Sequence, residues 1–493
     1  PSRPSRHCES AWSYSCFAFA YSCSAFFLIC VSTCSGCPLL DAADGDEVLL
    51  ADGTVQRFED HADLDDGFVR LLGAAYGTLI KRDGGSKVCV GRDPRVHSER
   101  LFKALQEGIR STGIDVIEIG IVPTPMLYFS VYHHDVDGGV QITGSHNPGD
   151  YNGFKMMRGK RSLYGDQIIT LRDMMLEQDF DRGEGALIES PIFDTYVDYV
   201  CNNIVLGERS LNIVVDGGNG AGGPGAMAIL GRLGVKTTGL FIEMDGTFPN
   251  HHPDPTVESN LDDLKRVVAE TEADCGIAYD GDADRIGLID ECGEVIWGDR
   301  LLILLSREIL KEHPGTPIVG EVKCSQTLFD DIVKHGGVPI MSAVGHSIIK
   351  ERMKKEGSLL AGEMSGHIFF AHRWFGFDDA VYATLRVLEI LSRTDKKLSE
   401  LLADVPKTCV TPEIRLDCPD DRKFGIVEEA VSSFKETHEV CDIDGARVQF
   451  AKGWGLIRAS NTQPVLVLRA EAETEADLDE VRGKLENFVA LRS

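Results

Sequence analysis

The strongest constraint on the fold is an alternation of short apolar runs with amphipathic stretches, which begins near residue 65. "SKVCVGRD" and "IDVIEIGIVPTP" have the length and composition of buried strands, and "SERLFKALQEGIRSTG" between them has the pattern of a helix closed by glycine. "VDGGVQITGS" predicts the next strand. This alternation predicts a mostly parallel sheet with helices on both faces.

The alternation restarts twice, at "SLNIVVDGGNGAGGPGAMAILGRLG" and near Asp299 with "GDRLLILLSREIL" and "TPIVGEVK". Toward the end, strands with turns such as "ARVQFAKGWGLIRAS" replace it. We therefore predict an α/β protein with three consecutive related α/β domains (mixed, mostly parallel sheets) and a C-terminal α+β domain. The predicted ranges are 41–190 for domain I, 191–297 for domain II, 298–407 for domain III and 408–493 for domain IV.

The charge of the chain restricts its partners. The 493 residues carry a formal net charge of −28, whereas nucleic-acid or anionic-membrane binding needs a basic surface. A few cationic side chains in one cleft can still bind a small anion. Eight cysteines are scattered singly after residue 40 without CxxC pairing, which is typical of a reducing compartment and favours the cytoplasm.

Residues 1–40 differ from the rest of the chain. They contain six of the 14 cysteines, and Ala11 to Val31 is a 21-residue apolar stretch with several serines. This pattern fits a targeting leader better than a membrane-spanning helix. A non-native extension from a mistranslated upstream sequence is the alternative, and organellar targeting follows only if the leader is real.

"YDGDADRIG" is the strongest single signal for chemistry. Asp280, Asp282 and Asp284 alternate in a loop between two apolar runs, and converging carboxylates are the ligands that Mg²⁺ or Ca²⁺ requires. An EF-hand is excluded because Arg285 stands where that loop needs glycine. Arg285 beside three carboxylates instead suggests a phosphate ligand, with a solvated acidic loop as the plain alternative.

"QITGSHNPGDYNGFK" places Ser145 on a sharp turn after an apolar run. His146 follows directly, and Lys155 lies ten residues after Ser145. The stretch does not match the G-x-S-x-G elbow of hydrolases, and a tight polar turn is the structural alternative.

Two weaker stretches complete the set. In "GEMSGHIFF", Glu363, Ser365 and His367 alternate, so an extended segment would point all three to one side, where they could bind hydroxyls. "GLIRASNTQP" offers a cradle for a phosphate dianion, made by Arg458, Ser460, Asn461 and Thr462. A presented serine, a carboxylate metal site and phosphate ligands together indicate phosphoryl transfer.

From about Val88 onward the sequence resembles the α-D-phosphohexomutase family, most closely its bacterial phosphomannomutase/phosphoglucomutase type. The resemblance rests on "TGSHNP", "DYNGFK", "DGDADR", "VKCS", "GHSIIK", "GEMSGH", "RWFGFDDAVY" and "KGWGLIRASNTQP" in this order. It implies four domains around a central cleft and an enzyme that interconverts hexose 1-phosphate and 6-phosphate, of mannose and/or glucose. The implied cofactors are Mg²⁺ and a hexose 1,6-bisphosphate, which serves as intermediate and activator.

The resemblance also implies roles for individual residues. Ser145 would be the phosphoserine and would hold Mg²⁺ together with Asp280, Asp282 and Asp284. The other implied catalytic residues are His146, Lys155, Arg285 and His367, of which Lys155 and His367 are the candidates for proton transfer. The implied sugar-binding residues are Lys323, His346, Glu363, Ser365 and His367, and the implied phosphate-binding residues are Arg458, Ser460, Asn461 and Thr462.

One feature departs from the family. Members usually open domain I with a motif like F-x-x-Y-D-x-R-G, whereas "DGDEVLLADGTVQRFEDHADLDDGFV" contains none. A non-catalytic sugar-phosphate-binding relative is therefore the alternative function. We expect small sugar phosphates as partners, no nucleic acid, no membrane contact of the folded domains, and a monomer or weak homodimer.

Overall fold

The structure, a computed structural model, describes residues 64–460 and 464–492. Before residue 64 it describes only the backbone of three short antiparallel strands, β1 (Ile29–Cys30), β2 (Glu47–Leu49) and β3 (Val55–Arg57). Apart from these segments, the proposed leader and the region of the absent arginine motif up to residue 63 lie outside the described residues, as do Asn461 and Thr462.

Domain I is a six-stranded sheet with helices on both faces. The strands lie in the order β8-β7-β6-β4-β5-β9, antiparallel at the β8-β7-β6 side and parallel elsewhere. Its elements are α1 (Asp66–Arg82), β4 (Lys87–Arg92), α2 (Ser98–Arg110), β5 (Asp115–Ile121), α3 (Thr124–His133), β6 (Gly138–Ile142), β7 (Phe154–Arg158), β8 (Arg161–Ser162), α4 (Asp166–Glu177) and β9 (Leu187–Glu189).

Domains II and III each contain one five-stranded sheet. Domain II has α5 (Phe193–Asn203), β10 (Asn212–Asp216), α6 (Gly222–Arg232), β11 (Lys236–Leu240), a 3₁₀ turn (Glu258–Leu261), α7 (Asp262–Thr271), β12 (Cys275–Tyr279), β13 (Ile286–Asp290) and β14 (Val295–Ile296). Domain III has α8 (Gly298–Glu312), β15 (Pro317–Glu321), α9 (Gln326–Lys334), β16 (Val338–Ser342), α10 (His346–Glu356), β17 (Leu360–Gly362), β18 (Ile368–Phe370), β19 (Phe377–Asp378), α11 (Ala380–Ser392) and α12 (Leu398–Leu401).

The three sheets share one topology. The orders β5-β4-β6-β7-β8, β11-β10-β12-β13-β14 and β16-β15-β17-β18-β19 are equivalent, and each joins three parallel strands to an antiparallel hairpin and edge strand. This result confirms the prediction of three related mixed α/β domains. In domains II and III half of the pairings are antiparallel, because the third strand turns directly back into the hairpin.

Domain IV is an antiparallel α+β unit, as predicted. Its strands lie in the order β20-β25-β24-β23-β22, with β21 also paired to β25, and two helices pack on the sheet. Its elements are β20 (Cys409–Val410), β21 (Ile414–Asp417), α13 (Asp420–Lys435), β22 (Glu439–Cys441), β23 (Ala446–Phe450), β24 (Gly453–Ala459), β25 (Val465–Ala472) and α14 (Glu475–Ala490).

The largest buried core runs continuously through parts of domains I, II and III. Aromatic rings link the domains within it: Phe129 of α3 lies edge-on to Tyr196 of α5, with ring centroids 5.5 Å apart, and is parallel to Trp374 of domain III at 6.2 Å. This shared core holds the three domains together, so the loops at their facing edges have defined positions relative to one another. Within residues 64–460 and 464–492, no helix combines the length and apolar character that crossing a membrane requires.

Candidate active site

Three equivalent hairpins deliver the predicted site residues. The loop between β6 and β7 carries Ser145, the loop between β12 and β13 carries the three aspartates, and the loop between β17 and β18 carries Glu363 and His367. The repeated topology therefore brings corresponding loops of domains I, II and III to one cleft.

Ser145 is buried and has a left-handed backbone conformation, with φ of 49°. Its Oγ donates a hydrogen bond of 2.9 Å to Oδ2 of Asp280, and Nδ1 of His146 lies 3.3 Å from the same Oγ. Gly281 permits this approach, because a Cβ at that position would collide with the carbonyl oxygen of Ser145. Burial, followed by the charges of Arg285 and Lys155, lowers the pKa of His146 well below its usual value. The ring beside Ser145 is therefore neutral.

Arg95 holds the loop that carries Ser145 through hydrogen bonds from its guanidinium. Its buried guanidinium pairs with Asp93 at 3.0 Å and donates to four carbonyl oxygens of the loop. These acceptors are Ser145 O at 2.8 Å, Asn147 O at 2.6 Å, Tyr151 O at 2.9 Å and Pro148 O. Five donors in a rigid fork suit this task. One side chain, which was not among the predicted site residues, thus holds the strained turn at Ser145.

The aspartate loop forms a compact acidic cluster. Asp280, Asp282 and Asp284 are fully buried, and one oxygen of each lies within 4.8 Å of the others. Lys155 donates to Oδ2 of Asp282 at 2.7 Å and to Oδ2 of Asp284 at 2.6 Å, and the hydroxyl of Thr124 donates to Asp282. The prediction that three carboxylates converge between two strands agrees with this geometry.

The charged groups in this cluster shift one another's pKa values. Burial, together with Asp282 and Asp284, raises the pKa of Asp280 well above its usual value. Burial alone would lower the pKa of Lys155, but Asp282 and Asp284 raise it well above the ordinary range, so this lysine stays charged. Lys155 therefore pairs with two of the three acids, and the charge of Arg285 acts on Asp280 and Asp284 as well.

The donor set fits a divalent metal ion. Oδ1 of Asp282 and Oδ1 of Asp284 are buried and have no hydrogen-bond partner among the described residues. An unpaired buried carboxylate oxygen is costly unless a cation binds it. Three hard oxygen donors are the ligands that Mg²⁺ uses in proteins.

Arg285 and His367 join the aspartate loop to domain III. Nε of Arg285 donates to Nε2 of His367 at 3.0 Å, and Nδ1 of His367 lies 3.1 Å from Oδ2 of Asp378. Nζ of Lys350 lies 3.2 Å from Oδ1 of Asp378 and 3.2 Å from Nδ1 of His346. Burial and then Lys350 lower the pKa of His346 well below its usual value. Asp378 thus orients His367 and Lys350, and Lys350 in turn contacts His346.

The segment 363–367 is a tight turn, not the extended segment expected from its alternating residues. Gly366 N donates to Glu363 O at 3.1 Å, and Glu363 N donates to His367 O at 2.9 Å. Gly366 has φ of 93°. The local conformation was predicted wrongly because this left-handed glycine closes a hairpin. Glu363 and Ser365 nevertheless face each other, with Ser365 Oγ 3.4 Å from Oε2 of the carboxylate.

Buried Glu321 connects two of the predicted sugar-binding loops. Its carboxylate accepts from Lys323 N at 2.7 Å and from Met364 N at 3.2 Å. Nζ of Lys323 pairs with Glu413 of domain IV at 2.8 Å. Burial raises the pKa of Glu413, but Lys323 and Arg415 outweigh it and hold this pKa at about 2. Lys323, one of the predicted sugar-binding residues, therefore also links domain IV to domain III.

The predicted phosphate cradle faces the sugar-binding loops. Nη2 of Arg458 lies 3.1 Å from Oδ2 of Asp444, which also accepts from Val344 N at 3.0 Å. The next amide, Gly345 N, donates to Oε1 of Glu363 at 2.7 Å. Ser460 is buried, and its backbone N–H pairs with Val465 O at 2.9 Å.

Several functional residues were missed from the sequence, namely Arg95, Thr124, Glu321, Asp378 and Asp444. Arg95 ends "GRDPR", directly after the predicted strand "SKVCVGRD", and Asp378 lies in "RWFGFDDAVY". A charged side chain at the end of an apolar strand was the available signal for Glu321. Thr124 and Asp444 have no such signal.

Four consecutive family matches cover almost the whole described chain. Residues 51–180, 194–293 and 297–409 match alpha/beta/alpha domains I, II and III of phosphoglucomutase/phosphomannomutase, and residues 413–487 match its C-terminal domain.

Characterised relatives and a solved structure agree with these matches. A phosphomannomutase/phosphoglucomutase of Pseudomonas syringae is 45% identical over 84% of this chain and 89% of its own length. A phosphoglucomutase of Neisseria gonorrhoeae is 42% identical over 86% and 93%, respectively. The crystal structure of a phosphoglucomutase/phosphomannomutase family protein from Burkholderia thailandensis is 39% identical, with a TM-score of 0.84 over 89% of this chain and 96% of that one.

Proposed function

The chain belongs to the phosphoglucomutase/phosphomannomutase family, and we propose that it interconverts the 1-phosphates and 6-phosphates of glucose and mannose by carrying a phosphoryl group on Ser145. It is an isomerase that acts as an intramolecular phosphotransferase. The observation that carries the proposal is the placement of the Ser145 hydroxyl, 2.9 Å from Asp280 and next to a neutral histidine.

The surroundings of Ser145 suit a phosphoryl group. Lys155 and Arg285 supply positive charge near the serine, and charge-assisted hydrogen bonds to phosphate are the strong ones. Asp280, Asp282 and Asp284, with the serine oxygen, would hold Mg²⁺. When bound there, Mg²⁺ supplies neutralisation of the charge on the phosphoryl oxygens.

His367 and Lys155 are suited to move protons. When a sugar hydroxyl attacks phosphorus, the bond from phosphorus to Ser145 Oγ breaks, the hydroxyl loses a proton and the serine oxygen gains one. Asp378 holds the ring proton of a neutral His367 on Nδ1, so the lone pair is on Nε2, where it accepts from Nε of Arg285. We assign the proton from the sugar to this Nε2, which the sugar hydroxyl reaches by displacing the N–H of Arg285. We assign to Lys155, which is charged, the proton that the serine oxygen gains; its bonds to Asp282 and Asp284 raise its pKa, so neutralisation of those carboxylates by a bound cation would make it a better donor.

The remaining contacts position the sugar. Glu363, Ser365, Lys323 and His346 would bind its hydroxyls, and Arg458 with Ser460 would bind the phosphate that is not transferring. A hexose 1,6-bisphosphate then has to turn around, so that its second phosphate faces Ser145 and returns to the serine. Asn461 and Thr462 keep their proposed place in this phosphate cradle.

The decisive experiment is intact-mass spectrometry after incubation with glucose 1,6-bisphosphate and removal of small molecules. We expect one added phosphoryl group on the parent protein and on the exposed-serine control Ser432→Ala, and none on Ser145→Ala. The non-catalytic relative considered above would carry none in any of the three. A phosphoryl group that persists in Ser145→Ala would place the carrier elsewhere.

Two further features remain proposals. All eight cysteines of the described chain are free, which supports action in a reducing compartment such as the cytoplasm. We also propose that the protein is a monomer or weak homodimer.

A further inference from the structure

A second cleft, of about 460 Å³, lies between domains I and III. Ligand pockets in proteins typically have volumes of ~300–1,000 Å³. Of the described residues that line it, none is Ser145, one of the three aspartates, or one of the sugar- or phosphate-binding residues assigned above. The cleft is therefore distinct from the catalytic one.

One wall of the cleft is aromatic. Tyr132 of α3 packs against Phe375 with ring centroids 4.8 Å apart, and Phe375 stacks on Phe377 at 6.0 Å. Tyr128 adds a further ring, 5.4 Å from Phe377. Nζ of Lys160 lies 5.2 Å from the ring centroid of Tyr132, and Nζ of Lys350 lies 4.2 Å from that of Tyr128. A flat aromatic group would stack on the part of this wall that the two lysines leave uncovered.

The rest of the lining has an excess of positive charge. It includes four cations, Lys160, Arg161, Lys350 and Lys354, and a single acid, Glu351. The whole chain has a formal net charge of −28, so this excess of positive charge is local and opposite in sign to the charge of the protein. Three of these cations are paired with an acid: Arg161 lies 3.5 Å from Glu351, Lys160 lies 3.1 Å from Asp135 and Lys350 lies 3.2 Å from Asp378. Lys354 has no ion pair within the described part of the chain.

We propose that this cleft binds a nucleoside phosphate. The base would stack against Tyr132 and Phe375, and the phosphates would lie among Lys160, Arg161 and Lys354. Neither feature alone requires this ligand class, but an aromatic wall beside surplus cations matches a molecule that is flat at one end and anionic at the other.

Lys350 connects this cleft to the catalytic residues. It lies over the ring of Tyr128, with Nζ 4.2 Å from the centroid, while Nζ contacts Asp378 and His346 at 3.2 Å each. An anion in the cleft attracts Nζ away from Asp378, which orients His367. Occupancy should therefore lower kcat; this second step rests on the proposed function.

The binding test uses the fluorescent probe mant-ADP without added metal. Reversing two exposed charges, Arg161→Glu with Lys354→Glu, should raise its Kd at least about tenfold, because two favourable charges become repulsive. Lys236→Glu, an equally exposed reversal in domain II, should leave it within about twofold. If the charge-reversed double variant has a lowered melting temperature, the double variant Arg161→Ala with Lys354→Ala replaces it in the test. This milder variant should also bind mant-ADP more weakly than the parent.

Competition locates the probe. Unlabelled ADP should displace it, while inorganic phosphate and glucose 1-phosphate at the same concentration should not, and Ser145→Ala should bind as the parent does. Displacement by glucose 1-phosphate, or equal binding by the parent and both charge variants, overturns the site. Saturating ADP that leaves kcat unchanged in the parent overturns the Lys350 link and leaves the binding site standing.

Discussion

Arg285 donates from Nε to Nε2 of His367 at 3.0 Å, and this contact joins a loop of domain II to a loop of domain III. Because the guanidinium N–H takes up the lone pair on Nε2, the proton of a neutral His367 lies on Nδ1, where Asp378 accepts it at 3.1 Å. The chain from Arg285 to Asp378 therefore fixes both the orientation and the tautomer of the ring.

Arg285→Lys should lower kcat strongly with a smaller change in KM. A lysine keeps the charge but lacks the planar Nε donor that holds Nε2 of His367. The expected loss in kcat is ~10²–10⁴-fold, the range for disturbed acid–base catalysis. Steady-state assays with glucose 1-phosphate measure it, and Arg266→Lys on the exposed face of α7 is the control. A kcat near that of the parent would contradict the proposed role.

Arg95→Ala should destabilise the protein as well as reduce activity. The substitution removes four bonds to the serine loop and leaves the buried Asp93 carboxylate without its cation. Removing one partner of a buried pair costs ~3–5 kcal/mol. The exposed control Arg100→Ala, whose partner is Asp66, should cost only ~0–1 kcal/mol. Calorimetric melting of both variants checks the contrast, and equal melting temperatures would refute it.

Asp282→Asn should weaken the response to Mg²⁺. The amide keeps the shape of the side chain, but it removes a charge that faces the proposed metal and Lys155. We expect the Mg²⁺ concentration for half-maximal activity to rise at least about tenfold. The test is a Mg²⁺ titration after treatment with a chelator, with the exposed Asp263→Asn as control. An unchanged midpoint in Asp282→Asn would exclude this carboxylate as a ligand.

The sequence predicted the parts of the fold that local pattern determines. Apolar runs and glycine-closed helices are repeated three times, so the order of strands and helices could be inferred. The paired carboxylates and the presented serine could also be identified, because their spacing has a direct chemical meaning. The turn at Gly366 was missed because alternation of polar residues does not reveal a left-handed backbone.

The missed residues act between elements that are far apart in sequence. Arg95 contacts carbonyls more than 50 residues later, and Asp444 accepts from Val344 of another domain. No local spacing encodes such a contact, because it depends on how two separately folded loops come together. Single charged residues in a chain with 128 charged side chains do not stand out before the fold is known.

Asp379 should make the protein less stable as pH rises. Burial raises its pKa from 3.8 to about 7, against hydrogen bonds from the backbone of Tyr382 and the hydroxyl of Tyr196. The folded state therefore binds the proton more tightly than the unfolded chain. This contribution to stability is fully present below pH 3.8 and is lost as pH rises toward and through 7. The difference corresponds to ~4 kcal/mol at most.

Asp379→Asn imitates the protonated form and should reduce this pH dependence. Melting temperatures of the parent and the variant at pH 5, 6.5 and 8 give the comparison, with exposed Asp395→Asn as the matched control. We expect the melting temperature of Asp379→Asn relative to the parent to rise from pH 5 to pH 8. A difference that stays constant over this interval would show that the carboxyl does not titrate there.

Glucose and mannose phosphates should turn over at comparable rates. The two sugars differ in the orientation of the hydroxyl at carbon 2, while Glu363 and Ser365 can bind two neighbouring hydroxyls elsewhere on the ring. The N–H of Gly345 donates to Oε1 of Glu363 and fixes the orientation of the carboxylate. The lone pairs that remain for a sugar hydroxyl therefore point in a defined direction. A pair that binds carbons 3 and 4 would accept both sugars.

Glucosamine and N-acetylglucosamine phosphates should be poorer substrates, with kcat/KM at least about tenfold lower. A tenfold ratio needs only ~1.4 kcal/mol of differential transition-state binding, which one misfitted polar group can impose. Met364, between the two proposed sugar-binding residues, offers no donor for the carbonyl of an acetamido group, because its side chain is apolar and its N–H is already bonded to Glu321. Steady-state assays with all four sugar phosphates test this order, and a preference for either amino sugar would place the carbon-2 substituent against a polar group that this geometry does not provide.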